Sequence, residues 1–102
     1  MKQYLLLIHP PGETIPSSDE WEDFFEAAHE SGTFRGGSEV GNSELIGPDQ
    51  GAKLSNRLAG YMRFDSDEPN QIRELLKLHP VVVHGGTVEL CELPESWSRR
   101  NL

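Results

Sequence analysis

The residues with the clearest capacity for chemistry surround the most β-prone run of the chain, HPVVVHGGTVELCEL, residues 79–93. His79 and His84 flank a short valine run, and an unperturbed imidazole with a pKa of about 6.5 can exchange protons at neutral pH. The same stretch also has a structural interpretation, in which Pro80 ends a helix, two glycines turn the chain and a last strand follows. We favour the structural interpretation and keep the two imidazoles as candidate site residues.

Further candidates lie near the ends of predicted strands. His9 follows the first apolar run and precedes two prolines, and strand ends often carry functional side chains. Arg35 and Arg63 could hold a carboxylate in two-point geometry, or could pair with nearby glutamates. Glu39, beside Gly36-Gly37, could face a cleft. The candidate ligand-binding residues are therefore His9, Arg35, Glu39, Arg63, His79 and His84, and no catalytic residue is assigned.

The sequence lacks the motifs typical of zinc sites, dinucleotide binding and nucleophilic catalysis. His79 and His84 are five residues apart across a proline, and no His/Cys spacing typical of a zinc site occurs. The GGSEVG stretch lacks the helix that a dinucleotide-binding fingerprint opens. No serine has a G-x-S-x-G context, and Cys91, the only cysteine, has no flanking cation to lower its pKa. We therefore expect no metal and no cofactor, and whether the protein is an enzyme stays open.

Composition limits the class of protein. The chain has 102 residues, of which 35% are hydrophobic, and this length favours one domain spanning residues 1–102. A net charge of −8 opposes the phosphate contacts that nucleic-acid binding requires, so no nucleic-acid partner is expected. The opening aliphatic run is too short for a signal peptide, and no run approaches the ~20 apolar residues of a membrane span. A cytoplasmic protein without a membrane partner is the expectation.

The elements that must position these residues can be read from periodicity and end signals. An apolar strand over 3–8 precedes a helix that starts at the capping-box pair Ser17 and Glu20 and ends at Gly32. A strand over 33–40 follows, in which the paired glycines suggest a bulge or a close approach. The expected core positions of this helix, at i, i+3, i+4 and i+7, are Trp21, Phe24, Phe25 and Ala28.

The second half repeats this pattern. Residues 41–56 are rich in turn formers and predict a mobile loop or open hairpin arm whose role stays open. An alternating strand over 57–64 leads into a helix with Asp65 and Asp67 as cap residues, which stops at Pro80. Its apolar face carries Ile72, Leu75 and Leu76. The closing strand spans 87–93 and turns Val88 and Leu90 to one side.

The predicted order is strand, helix, strand, strand, helix, strand, which indicates an α+β protein of ferredoxin-like βαββαβ fold. Both helices would then cover one face of an antiparallel sheet. The other face would expose apolar side chains from several strands, a patch that is large for a monomer. A homodimer formed through this face is the expected assembly.

The stretches LAGYMRFDSDEPNQIRELLKLHP and HGGTVELCEL resemble the second half of the YCII-related domains, most closely the branch called DGPF, and SGTFRGGSEVG is similar to the second strand of that branch. The resemblance covers nearly the whole chain, and HGGTVEL is its most specific part. It implies a dimeric α+β barrel with a cleft near the dimer interface.

The chain also departs from that family. It has no Asp-Gly-Pro-Phe motif, and by helix-end spacing Trp21 and His79 occupy the positions of the His-Asp pair found in the other branch. The favoured function is therefore a homodimer that binds a small molecule in its cleft without that pair. The alternatives are an enzyme that uses His/Glu acid-base chemistry and a regulatory protein-interaction module.

Overall fold

The computed structural model describes residues 1–48 and 58–94, and within them the chain forms a small α+β fold with a four-stranded antiparallel sheet and three helices. Residues 49–56 of the predicted loop over 41–56, and residue 57 of the predicted strand over 57–64, lie outside the described residues. The elements are β1 (Lys2–Ile8), α1 (Ser18–Glu30), β2 (Phe34–Glu39), β3 (Gly60–Ser66), α2 (Pro69–Leu76), α3 (Pro80–Val83) and β4 (Val88–Leu93).

The sheet has the strand order β2-β3-β1-β4, and every neighbouring pair is antiparallel. Leu6 of β1 lies opposite Met62 on β3 and Leu90 on β4. The first apolar run therefore forms a central strand. Each helical connection joins strands that are separated by one strand of the other half, so the two halves of the chain interlock in one sheet.

One face of the sheet packs against the helices and forms the core. Leu6 and Phe64 are fully buried there, and they meet Phe24 of α1 and Ile72 of α2. The predicted helix faces are largely confirmed, since the buried residues also include Ala28, Leu75 and Leu76. Phe25 departs from the prediction: it is 39% exposed, and Trp21 is only partly buried against the core.

The opposite side of the sheet is called the open face here, and none of the three described helices covers it. Because side chains alternate along a strand, the residues between the core positions point to this side. Its apolar members are only half-buried, apart from Tyr61, which is 37% exposed. The apolar residues of the open face are Leu5, Leu7, Tyr61, Cys91 and Leu93, and its charged residues include Arg63, Asp65 and Glu89.

The start of α1 follows the sequence prediction closely. The Ser17 hydroxyl accepts the Glu20 backbone N–H at 3.2 Å, and the Glu20 carboxylate accepts the Ser17 N–H at 3.1 Å. This is the predicted capping box, which satisfies two amides that the first turn cannot pair. Gly32, just past the helix, has φ of +74°, a conformation that glycine adopts without steric cost.

The second helical region differs from the prediction in both its ends. α2 begins after Glu68, so Asp65 and Asp67 are not its caps, and it ends at Leu76. Pro80 does not merely stop a helix, since it opens the short helix α3 with His79 as N-cap. Proline suits a first helical position because its missing N–H would have no helical partner there. No helix within residues 1–48 or 58–94 is long and apolar enough to cross a membrane.

Candidate functional site

A pocket of about 360 Å³ opens between α1 and the core face of the sheet, at the end where β1 finishes and β3 begins. Its walls come from α1, α3 and the segment between β1 and α1, and the sheet forms its floor. The lining is predominantly apolar. The lining residues are Ile8, Pro11, Ile15, Pro16, Trp21, Phe25, Phe34, Gly37, Ser38, Glu39, Ala59, Gly60, Tyr61, Met62 and Val81.

Two glycines make the floor of the pocket possible. A Cβ added to Gly37 would lie 2.2 Å from the Tyr61 carbonyl oxygen, and one added to Gly60 would lie 2.8 Å from the Ser38 carbonyl oxygen. Only residues without side chains therefore allow β2 and β3 to approach this closely here. The register shift between Phe34 and Gly37 confirms the predicted bulge in β2.

Glu39 is the candidate residue that the structure brings to the pocket. It lies directly opposite Gly60, which is buried on the core face, and cross-strand partners project to the same side of a sheet. Glu39 is exposed at the pocket mouth, and its carboxylate makes no ion pair with another described residue.

His84 ties the segment between β1 and α1 to the turn before β4. The Thr14 hydroxyl lies 2.5 Å from its Nδ1, and the Glu20 carboxylate lies 2.5 Å from its Nε2. The backbones of the same two segments also lie close together, since a Cβ on Gly12 would lie 2.5 Å from the Gly85 carbonyl carbon. Gly85 has φ of +84°, so the predicted glycine turn is confirmed.

The order of groups in this cluster is hydroxyl, imidazole, carboxylate. An imidazole held in this way can take the proton of the hydroxyl while the carboxylate stabilises the imidazolium. The backbone N–H of Ser17 and the His84 imidazole both lower the pKa of Glu20, which keeps the carboxylate charged. None of the three side chains lines the pocket, however. Their direct structural effect is to fix the wall that carries Ile15 and Pro16.

His79 is fully buried and does not line the pocket. Its Nδ1 accepts the backbone N–H of Val81 at 3.2 Å, which places the proton of the neutral ring on Nε2. The ring packs edge-on against Trp21 and Phe24, with centroid distances of 5.1 and 4.8 Å. Burial lowers the pKa of His79 to about 4. The ring is therefore neutral at pH 7 and acts as a helix cap.

His9 lies on the open face instead of in the pocket. Its Nε2 is 3.0 Å from Glu89 Oε1, and the Cys91 thiol donates to the other oxygen of Glu89 at 3.8 Å. Burial, together with the Glu89 charge, raises the pKa of the Cys91 thiol, so this thiol stays protonated. A protonated thiol is a poor nucleophile.

The two arginine candidates lie away from the pocket as well. Arg35 pairs with Asp65 at 3.2 Å and donates to the carbonyls of Gly32 and Phe34, so its guanidinium supports the start of β2. Arg63 is exposed on the open face, opposite Leu5. Of the six candidates, the structure therefore brings Glu39 alone to the pocket, while His84 acts on its wall from behind.

Sequence reasoning missed the segment that forms this wall. Pro16 and Trp21 flank the capping box at the positions of a hydrophobic staple, where residues before and after the N-cap commonly pack together. Both line the pocket, next to Ile15, which is 81% exposed. Ile15 and Pro16, an apolar residue and a proline placed just ahead of a strong helix start, were the available signal.

The described residues contain no group of three or more His, Cys, Asp or Glu side chains arranged to hold a metal ion. Comparison with models of known protein families finds no match to the chain, and comparison with curated proteins finds no matching relative. Functional reasoning therefore depends on the geometry of the pocket.

Proposed function

We propose that the protein binds a small, largely apolar molecule in the pocket between α1 and the sheet. The observation that carries this proposal is the pocket itself, about 360 Å³ in volume and lined mainly by apolar side chains with one carboxylate at its mouth. Ligand sites of proteins are typically concave, apolar and roughly 300–1,000 Å³ in volume, with a few polar groups that orient the ligand. The pocket falls at the small end of that range.

The proposal includes a homodimer formed through the open face. Leu5, Leu7 and Leu93 form an apolar stripe across adjacent strands, and such a patch is commonly covered by a second copy. Arg63 and Glu89 on the same face have opposite charges, so a two-fold arrangement could pair them across the interface. The pocket lies on the core side of the sheet, so ligand binding and dimerisation use different surfaces, with Tyr61 as the residue that belongs to both.

A ferredoxin-like fold and kinship with the YCII-related domains are part of the same proposal. The element order and the strand order β2-β3-β1-β4 support the fold. The rings of Trp21 and His79, which stand at the two positions of the YCII His-Asp pair, are in contact at 5.1 Å. This contact supports a site without that catalytic pair, in a cytoplasmic binding protein.

A neutral apolar dye tests the pocket. We expect N-phenyl-1-naphthylamine to bind with one site per chain, measured by its fluorescence increase on titration. Phe25→Glu places a charge in the apolar wall and should weaken dye binding by about tenfold, as expected when apolar contact area is lost. Phe25→Leu keeps the wall apolar and should retain most of the affinity.

Leu5→Glu is the control for nonspecific adsorption, because Leu5 lies on the open face and outside the pocket. It should leave dye affinity unchanged. Dye binding that is absent, or that falls equally in Phe25→Glu and Leu5→Glu, would contradict a ligand site in this pocket.

A further inference from the structure

We propose that the ligand of this pocket is an organic monocation: an amine whose apolar body, ideally an aromatic ring, occupies the pocket while its ammonium group faces Glu39. This inference deepens the proposed function and rests on it. It is carried by three features of the site, namely the sign of its charge, its ring content and the charge of the whole chain.

The described residues that line the pocket carry negative charge and no positive charge. Glu39 is the only carboxylate among the described residues that line the pocket, and those residues include no lysine, arginine or histidine. An anionic ligand would therefore meet a like charge without a compensating cation. A cationic group would meet a carboxylate that has no described ion-pair partner. Attraction between opposite charges therefore favours a cationic ligand, whereas an uncharged ligand gains only apolar contact.

The pocket also contains the aromatic surface that amines prefer. Trp21 and Phe25 stack with centroids 5.8 Å apart, and Phe25 and Phe34 follow at 6.1 Å, so three rings form a continuous wall. The face of an aromatic ring carries negative charge density, which attracts a cation. The ring itself can also stack with an aromatic ligand. The wall therefore suits both halves of an aromatic amine.

The charge of the chain acts in the same direction over longer distances. Its net charge of −8 produces a negative field that concentrates cations at the surface and repels anions before they reach the pocket. This contribution is screened by salt, whereas the contact with Glu39 is local. The two contributions can therefore be separated by ionic strength.

Three indole compounds with different end groups test the inference: tryptamine, a cation; tryptophol, its neutral alcohol counterpart; and indole-3-acetate, an anion. Affinities are measured by isothermal titration calorimetry at pH 7, at low salt and at physiological salt. We expect tryptamine to bind most tightly and indole-3-acetate most weakly at both salt concentrations. The preference for tryptamine over tryptophol should be about fivefold, the upper range for a solvent-exposed ion pair.

Glu39→Gln removes the charge with little change in shape. At physiological salt, where the long-range field is screened, it should lower tryptamine affinity to that of tryptophol and leave tryptophol binding unchanged. The matched control is Glu92→Gln, which makes the same change in net charge at the opposite end of the sheet, on the edge strand β4 and outside the pocket. It should keep the preference for tryptamine.

The possible failures are distinguishable. Equal affinity for the three compounds, or a tryptamine preference that survives Glu39→Gln at physiological salt, would overturn the inference while the pocket stays a ligand site. The same holds if none of the three binds although the neutral dye binds in a Phe25-dependent manner. If neither the dye nor any indole binds, the proposed function fails together with the inference.

Discussion

His79 illustrates how one imidazole can be excluded from acid-base chemistry by its surroundings. The sequence places it five residues before His84 and ahead of the last strand, and this placement made it a candidate site residue. The fold instead buries the ring completely, turns Nδ1 toward the Val81 amide and packs Trp21 and Phe24 around it. Protonation would put a charge among these rings, and the protein therefore folds best with a neutral ring.

This burial predicts a specific dependence of stability on pH. Because the pKa of His79 is about 4 when folded and 6.5 when exposed, the unfolded chain takes up a proton between these values and the folded chain does not. The contribution of the neutral His79 ring to the free energy of unfolding is fully present above pH 6.5. It is lost as the pH falls toward 4, by up to roughly 3 kcal/mol. Urea unfolding at pH values from 4 to 8 measures this loss.

His79→Asn tests the assignment, since asparagine can accept the Val81 N–H but does not titrate. It should be less stable at pH 8, because the ring packing is lost, yet the decline between pH 6.5 and 4 should be shallower. His29→Asn, at an exposed position near the end of α1, should keep the wild-type decline. An equal slope in His79→Asn and the wild type would show that another group causes it.

At the scale of elements, the segment between β1 and α1 acquires its position from contacts at both ends. The capping box fixes its exit into α1, and the hydrogen bond from His9 N–H to the Thr87 carbonyl fixes its start. Between these points, His84 bonds both Thr14 and Glu20 and so joins the segment to the α3–β4 turn. A pocket wall without regular secondary structure is thereby held in one place.

His84→Ala should release this wall while the sheet stays folded. We expect hydrogen exchange of the amides from Gly12 to Ile15 to rise on the order of fivefold, the equivalent of losing one net hydrogen bond. The same variant should bind the neutral dye more weakly, because Ile15 and Pro16 line the pocket.

His9→Ala is the matched control, since it removes another histidine-glutamate pair, on the open face. Exchange in the segment and dye affinity should both stay at wild-type values. If His84→Ala leaves exchange of the segment unchanged, the segment is held by the glycine contact and the cap alone.

At the scale of the molecule, the sheet is covered on one side only. The core face packs against three helices, whereas the open face leaves half-buried leucines of β1 in contact with solvent. Covering them with a second copy would remove apolar area from water, which is the main stabilising contribution in homodimers. This is the physical basis of the proposed dimer.

Leu5→Glu tests the proposed dimer, because Leu5 lies at the middle of β1 on the open face, between Arg63 and Cys91. The wild type should sediment as a dimer at micromolar concentration. The dissociation constant of the variant dimer should be at least about tenfold higher than that of the wild type, since a carboxylate would have to be buried on association. Phe25→Glu, which changes the pocket, should stay dimeric. A wild type that sediments as a monomer would disprove the dimer.

The sequence by itself determined the local structure of this protein. The capping box, the 3.6-residue periodicity of α1, the alternation in β3 and the glycine pair in β2 each depend on neighbouring residues, so they could be interpreted without a fold. The start of α2 was less predictable, because several acidic residues stand ahead of it and Glu68 takes the N-cap position without a capping hydrogen bond from its side chain.

Only the tertiary structure decided which residues meet. Glu39 reaches the pocket because a bulge sets the register that places it opposite Gly60, and His84 reaches Glu20 because two segments 64 residues apart converge. His79 and Arg35 could do similar chemistry as isolated side chains. In the fold, however, His79 caps the helix α3 and Arg35 pairs with Asp65. Contacts of this kind depend on register and on the path of the chain, which local patterns do not encode.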